Sequence, residues 1–158
     1  MVNYYTLIGD NITEGNTKER EERIRNADST MHARYRALTN SQYTRILYKT
    51  NVNDECRTII TRWRLSSHSL HIETGRYKKP KTLRENRVCT VCGTLEDEHH
   101  AIFVCTAHYF IRAKYKELLK KYNNVNDFLN PNCMDDIRIV GTMLREIEKN
   151  MKDLKMIV

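Results

Sequence analysis

One stretch decides the fold expected for this chain: Cys89-Thr90-Val91-Cys92-Gly93, followed by His100 and Cys105. The pattern is C-x2-C-x7-H-x4-C, and thiolates and imidazole nitrogens are ligands that tetrahedral zinc takes. Two residues between the first two cysteines let both sulfurs reach one metal, and Gly93 permits the tight turn that follows. Four protein ligands leave no position for water, so we predict one structural zinc ion. The predicted ligands are Cys89, Cys92, His100 and Cys105.

Alternatives exist for this stretch. A C-x2-C pair can occur by chance or serve as a redox pair, but a redox pair would begin a helix in a βαβ context, which this sequence lacks. His99 and His108 compete with His100 for the third ligand position. We favour His100 because Glu96-Asp97-Glu98 just before it would open a helix at the end that acidic side chains stabilise. His99 is then expected on the surface, and His108 in solvent on the next helix.

Length and composition exclude several classes of protein. The 158 residues suffice for one domain or two very small ones, and no run of 18 apolar residues predicts a membrane span. The first residues do not resemble a secretory signal. With three of the five cysteines assigned to zinc, Cys56 and Cys133 remain. We expect both to be free thiols in a reducing compartment, nuclear or cytoplasmic.

The positive charge is concentrated in one stretch. Residues 57–87 hold nine basic and two acidic residues, which accounts for the whole net charge of +7. A basic segment beside a small zinc module is typical of phosphate-backbone binding, although basic runs are often only solvated surface. The predicted nucleic-acid contacts, to RNA or DNA, are Arg62, Arg64, Arg76, Lys78, Lys79, Lys81, Arg84 and Arg87.

The pattern of apolar residues predicts a mainly α protein, a small helical domain around a CCHC zinc knuckle. We divide it into a loose N-terminal segment (1–28), a helical lead-in (29–56), a basic helix with the zinc module (57–122) and a C-terminal helix (123–158). Within the lead-in, residues 29–50 carry an imperfect stripe of tyrosine, leucine and isoleucine at helical spacing. Tyrosines at that spacing more often pack a core than stack on bases.

Three helices are predicted from residue 55 onwards, and the first two are amphipathic. Residues 55–67 place Ile59, Ile60 and Trp63 on one face, where Trp63 is expected to anchor the core rather than stack on a base. Residues 107–122 form an amphipathic helix whose predicted apolar side is Phe110, Ile111, Tyr115, Leu118, Leu119 and Tyr122.

The last helix, about 134–156, has a 3-4 repeat of apolar residues: Ile137, Val140, Leu144, Ile147, Met151 and Leu154. The repeat covers fewer heptads than a free coiled coil needs. We therefore expect this helix to pack back on the domain, with a homodimer seam as the alternative.

Two neighbouring stretches carry a resemblance to a known family. They are RWRLSSHSLHIETGRY (62–77) and RVCTVCG (87–93), the latter followed by EDEHHAIFVC (96–105). Together they resemble the zinc-binding region that follows the reverse transcriptase in non-LTR retrotransposon polyproteins. The family usually has a Pro after its last Cys, where this chain has Thr106. The strong match covers 57–112, weakens over 29–50 and 124–145, and is absent from 1–28.

The resemblance implies the tail of an element-encoded protein, or a domesticated remnant of one, that holds element RNA or target DNA while the upstream reverse transcriptase acts. The sequence shows no paired-Asp polymerase signature, no Ser/His/Asp arrangement and no phosphate-binding Gly loop, so we expect binding without catalysis. The alternative is a zinc-stapled protein–protein interaction module that does not bind nucleic acid. RING-type ligase function would need eight ligands for two zinc ions, and this chain offers four.

Overall fold

The computed structural model of the chain describes residues 52–157, with side chains through residue 156. The segment predicted to be loose (1–28) and the aromatic stripe at 29–50 lie outside the described residues. Within them the chain is mainly helical, as predicted, and strand pairing is limited to one antiparallel bridge between Val88 and Leu95. None of the helices in residues 52–157 combines the length and apolar character needed to cross a bilayer.

Six α-helices make up most of the described chain. They are α1 (Asp54–Arg64), α2 (His71–Thr74), α3 (Tyr109–Lys114), α4 (Lys116–Lys121), α5 (Val125–Phe128) and α6 (Met134–Ile157). Short 3-10 turns occupy Arg84–Asn86 and Thr106–His108, and a single π-helical turn spans His100–Val104.

The core lies between α1 and α6. Helix α1 begins where the Asn53 side chain accepts the Glu55 amide at 2.8 Å, and it ends before Ser66, whose φ of 52° reverses the chain. Trp63 is fully buried, as predicted for a core anchor, and its indole N–H donates to Glu148 Oε1 at 3.1 Å. A buried indole that keeps its hydrogen bond contributes its large apolar area without leaving a buried donor unsatisfied.

Helix α6 packs on the domain, which confirms the favoured prediction for its apolar repeat. Five of its six predicted positions are at most 4 % exposed, and the sixth, Leu154, is half-buried. Gly141 sets the distance between the helices, because a Cβ placed there would lie 2.7 Å from Cys56 Cβ. Since α1 covers the repeat, a homodimer through the same residues would require α6 to leave the core.

The helix predicted over 107–122 is bent. It is divided into α3 and α4 at Tyr115, whose φ and ψ of −107° and 25° are not helical. The prediction that groups Phe110 with the apolar side of this helix is wrong, because Phe110 is 84 % exposed. The inward stripe begins one residue later, at Ile111, and Phe110 instead shares helical spacing with Lys114 and Glu117.

Candidate metal centre

The loop that carries the first two cysteines is a tight hairpin. Its ends are joined by the bridge between Val88 and Leu95, and the Cys89 amide donates to the Thr94 carbonyl at 2.7 Å. The Gly93 amide then donates back to the Cys89 carbonyl at 2.8 Å, with Gly93 at a φ of +69°. That left-handed conformation suits glycine, so the sequence expectation for the turn holds.

Four side chains converge beside this hairpin: Cys89, Cys92, His100 and Cys105. We call them the Cys/His cluster. Their ligand atoms all lie within 4.8 Å of one another, so they could bind a metal ion. The Sγ atom of Cys105 lies 3.8 Å from Sγ of Cys89 and 3.7 Å from Sγ of Cys92. The structure thus brings together all four predicted ligands, although residues 93–104 separate Cys92 from Cys105 in the chain.

His100 is held by one contact of its ring and one of its backbone. Its Nδ1 lies 3.0 Å from Thr94 Oγ1, while its backbone amide donates to Asp97 Oδ1 at 2.8 Å. Its Nε2 is buried without a hydrogen-bond partner among the described residues. A buried imidazole nitrogen rarely stays unpaired, and metal-bound histidines usually donate the other ring N–H to an oxygen, as His100 can to Thr94. These contacts make Nε2 the nitrogen that fits a metal.

The protonation chemistry of the cluster also suits a cation. Burial, together with a smaller contribution from the neighbouring Cys89, raises the pKa of the Cys105 thiol to about 12. Burial likewise lowers the pKa of His100, which favours the neutral imidazole. The hydroxyl of Thr106, 3.2 Å from Cys92 Sγ, lowers the pKa of Cys92, and the Thr106 amide contacts the same sulfur at 3.4 Å. A cation at the centre would offset the charge of clustered thiolates, which burial alone disfavours.

The two competing histidines behave differently from each other. His99 is exposed, as predicted, and its ring packs 5.5 Å from that of Phe103. His108 was expected in solvent, and that prediction is wrong: it is 2 % exposed, and burial lowers its pKa to about 4. Its Nδ1 lies 3.4 Å from the amide of Asn150 on α6, so the contact with the last helix replaces water. Neither histidine belongs to the Cys/His cluster.

The acidic triplet before His100 does more than begin a helix. Asp97 accepts the His100 amide, in keeping with the expected helix start. Glu96 and Glu98, however, are buried. Glu96 Oε2 accepts the His71 amide at 3.1 Å and contacts the His71 ring at 2.8 Å. Glu98 Oε1 lies 3.1 Å from His68 Nε2. The triplet therefore connects the Cys/His cluster to the α1–α2 segment.

Sequence reasoning missed these supporting residues. The ligand spacing does not indicate which side chains support the ligands. The predicted site residues therefore did not include Thr94, Thr106, His68 and His71. The only signal for the two histidines was their presence in the RWRLSSHSLHIETGRY stretch. Their partners lie 25 and 30 residues away in sequence.

The eight predicted nucleic-acid contacts fall into two groups. Arg64 is buried, with Nε donating to the Leu129 carbonyl at 2.6 Å and Nη2 to Asn130 Oδ1 at 3.2 Å. Its guanidinium supports the chain after α5, so we withdraw it from the predicted surface. Two more arginines form ion pairs: half-exposed Arg62 with Glu148, and largely covered Arg76 with Glu73.

Arg87 closes the base of a loop. Its guanidinium donates to the Thr82 carbonyl at 3.0 and 2.9 Å and to the Ile72 carbonyl at 2.9 Å. Gly75 lies against it so closely that an added Cβ would be 2.8 Å from Arg87 Cγ. In the structure Arg87 therefore stabilises the loop through backbone carbonyls.

The remaining four predicted contacts project from that loop. Their side chains are exposed and form no hydrogen bond or ion pair with any described residue: Lys78, Lys79, Lys81 and Arg84. We call them the basic loop. The Thr82 amide donates to the Gly75 carbonyl at 3.0 Å and closes the part of the loop that carries the three lysines, while Arg84 begins the 3-10 turn that follows. A charged loop with a fixed base presents four cations without packing them into the core.

The remaining cysteines lie apart from the cluster. Cys56 is buried under Gly141, Cys133 is half-buried, and both are free cysteines, as predicted.

Comparison of the chain with protein-family models, with curated proteins and with solved structures gave no match.

Proposed function

We propose that this chain is a zinc-stabilised nucleic-acid-binding module without catalytic activity of its own. It would hold RNA or target DNA as the tail of a non-LTR retrotransposon reverse transcriptase protein, or as a domesticated remnant of one. The observation that carries the proposal is the Cys/His cluster placed directly after the basic loop. The upstream reverse transcriptase would be its protein partner.

The sulfur geometry supports zinc as the metal. Tetrahedral zinc with Zn–S bonds of about 2.3 Å separates its sulfur ligands by about 3.8 Å. The two sulfur distances of 3.8 and 3.7 Å around Cys105 match that edge. Thiolate ligands exclude the hard cations calcium and magnesium, and a fourth ligand from His100 leaves no open position for catalysis.

Metal analysis tests this part of the proposal. Protein purified without chelator should contain about one zinc per chain, and Cys92→Ser should lose it and unfold in part, because structural zinc binding is coupled to folding. Cys133→Ser is the matched control, since it removes a thiol outside the cluster and should keep the metal. A Cys92→Ser protein with unchanged zinc content and melting temperature would refute the ligand assignment.

The basic loop supports nucleic acid as the ligand. Exposed lysines on a loop bind phosphates and carry no sequence information, so binding should be nonspecific and fall steeply with salt. Replacing Lys78, Lys79 and Lys81 with glutamine should flatten the salt slope by roughly 0.7 to 0.9 for each lost contact. The fold should survive, because these side chains lie outside the core.

The control for the loop variant removes charge elsewhere. Lys149 and Lys152 are exposed on α6, and their replacement by glutamine should change the slope less per charge removed. Equal effects per charge would mean that the loop is only solvated surface. A parent protein that binds neither RNA nor DNA at low salt would favour the protein–protein interaction module instead.

A further inference from the structure

Two aromatic side chains lie together on the surface just after the Cys/His cluster. Tyr109 is 63 % exposed and Phe110 is 84 % exposed, the second value being the highest of any large aromatic side chain in residues 52–156. Their ring centroids are 5.5 Å apart and their planes are inclined at 78°. A tyrosine and a phenylalanine left side by side in solvent indicate a contact surface rather than a packing role.

A basic groove adjoins this aromatic pair. It has a volume of about 420 Å³, and its lining contains three cations and no carboxylate: Tyr109, Arg112, Ala113, Lys116, Leu119 and Lys120. The side chain of Lys116 is exposed and forms no hydrogen bond or ion pair with a described residue. Lys120 pairs with Glu117 at 3.0 Å, but both side chains are about 70 % exposed, and such a pair is weak. A phosphate could therefore engage both lysines.

The groove is fixed relative to the Cys/His cluster. The guanidinium of Arg112 donates to the carbonyls of Cys105 and Val104, which end the π-helical turn. Helix α3 is therefore held directly against the last metal ligand. The backbone that carries the aromatic pair is therefore anchored before a ligand binds, which lowers the entropic cost of binding.

We propose that Tyr109, Phe110 and this groove bind single-stranded nucleic acid, with bases stacked on the rings and phosphates held by Lys116 and Lys120. Aromatic rings beside a groove of cations are the arrangement that binds single strands without reading sequence. Duplex bases are already stacked on one another and do not offer their faces. An apolar peptide would leave the cations desolvated and unpaired, whereas a polyanion satisfies them. The inference rests on the proposed function and adds a second surface to the basic loop.

The test compares strands and variants of the full zinc-loaded chain. Affinities for oligo(dT), oligo(U) and a duplex of equal length are measured by fluorescence anisotropy. The double variant Tyr109→Ala/Phe110→Ala should weaken binding to both single strands by about fivefold or more, the loss expected for one base–aromatic stack. Duplex affinity should change less than twofold. Zinc content and melting temperature should stay unchanged, because both side chains are exposed.

A matched variant separates stacking from apolar contact. Tyr109→Leu/Phe110→Leu keeps apolar surface but removes the ring faces, so it should lose as much single-strand affinity as the alanine variant. Restored binding in the leucine variant, unchanged single-strand binding in the alanine variant, or an equal loss on the duplex would each overturn the stacking site. If the parent binds no strand at low salt, the proposed function itself fails. If the parent binds through the basic loop and the alanine variant behaves like it, only the stacking site fails.

Discussion

The substitution Arg64→Gln should lower the free energy of unfolding and leave nucleic-acid binding unchanged. Arg84→Gln is the matched control, because it is the same chemical change at an exposed member of the basic loop. The comparison distinguishes Arg64, which stabilises the fold, from Arg84, which we propose contacts the nucleic acid. Both were predicted as contacts from the sequence.

The magnitude follows from two hydrogen bonds. The Arg64 guanidinium donates to the Leu129 carbonyl at 2.6 Å and to Asn130 Oδ1 at 3.2 Å, and the side chain is buried. Hydrogen bonds from a charged donor are each worth about 1.5 to 3 kcal/mol, and a glutamine is too short to make both. We expect the free energy of unfolding to fall by about 3 kcal/mol. For a domain of this size that lowers the melting temperature by roughly 12 °C.

Trp63 provides the assay, because it is the only tryptophan and is fully buried. Urea denaturation followed by its fluorescence should show the shift for Arg64→Gln, and a change within about 0.5 kcal/mol for Arg84→Gln. In salt titrations of binding the order reverses: Arg84→Gln flattens the slope by roughly 0.7 to 0.9, and Arg64→Gln leaves it unchanged. A folded Arg64→Gln protein with parental stability, or with the binding loss of Arg84→Gln, would refute this reasoning.

Three further outcomes are expected. Gly141→Ala should destabilise the protein by about 1 to 3 kcal/mol in denaturant titrations despite the better helix propensity of alanine, because its Cβ would lie 2.7 Å from Cys56 Cβ; a gain in stability would contradict this. Thr94→Val should lower metal affinity about tenfold in competition with a chelator, since it removes the contact to the ring of His100; unchanged affinity would count against that role. Burial lowers the pKa of His108 to about 4, below its unfolded value, so its stabilising contribution is present above pH 6.5 and is lost as the pH falls towards 4. Unfolding measured at several pH values should therefore show a shallower loss in His108→Gln, and equal slopes in variant and parent would refute the assignment.

The predictions that succeeded rest on local spacing. The 3-4 repeat from Ile137 to Met151 gave both the existence and the buried face of α6, and Ile59, Ile60 and Trp63 did the same for α1. The four members of the Cys/His cluster were also found from local sequence: spacing gave the cysteines, and the acidic residues before His100 favoured it over His99 and His108.

The predictions that failed depend on partners far away in sequence. Arg64 looks like a surface residue until the Leu129 carbonyl, 65 positions away, is placed beside it. His108 is buried because α6 covers it. Phe110 is apolar in sequence, yet the inward stripe starts at Ile111, and a register difference of one residue moves a side chain to another face of the helix. Sequence pattern fixes which residues can be buried, and only tertiary contacts decide which of them are.

The buried carboxylates of Glu96 and Glu98 tie the hairpin that carries the Cys/His cluster to the segment that joins α1 to α2. A peptide of residues 88–105 would contain the whole Cys/His cluster but neither His68 nor His71, and its two glutamates would be exposed to water. Its affinity for metal would not be that of the protein, because part of the binding free energy is shared with distant contacts. The same linkage runs in reverse. A substitution at His68 should weaken metal binding. Removal of the metal should destabilise the α1–α2 connection before the core unfolds.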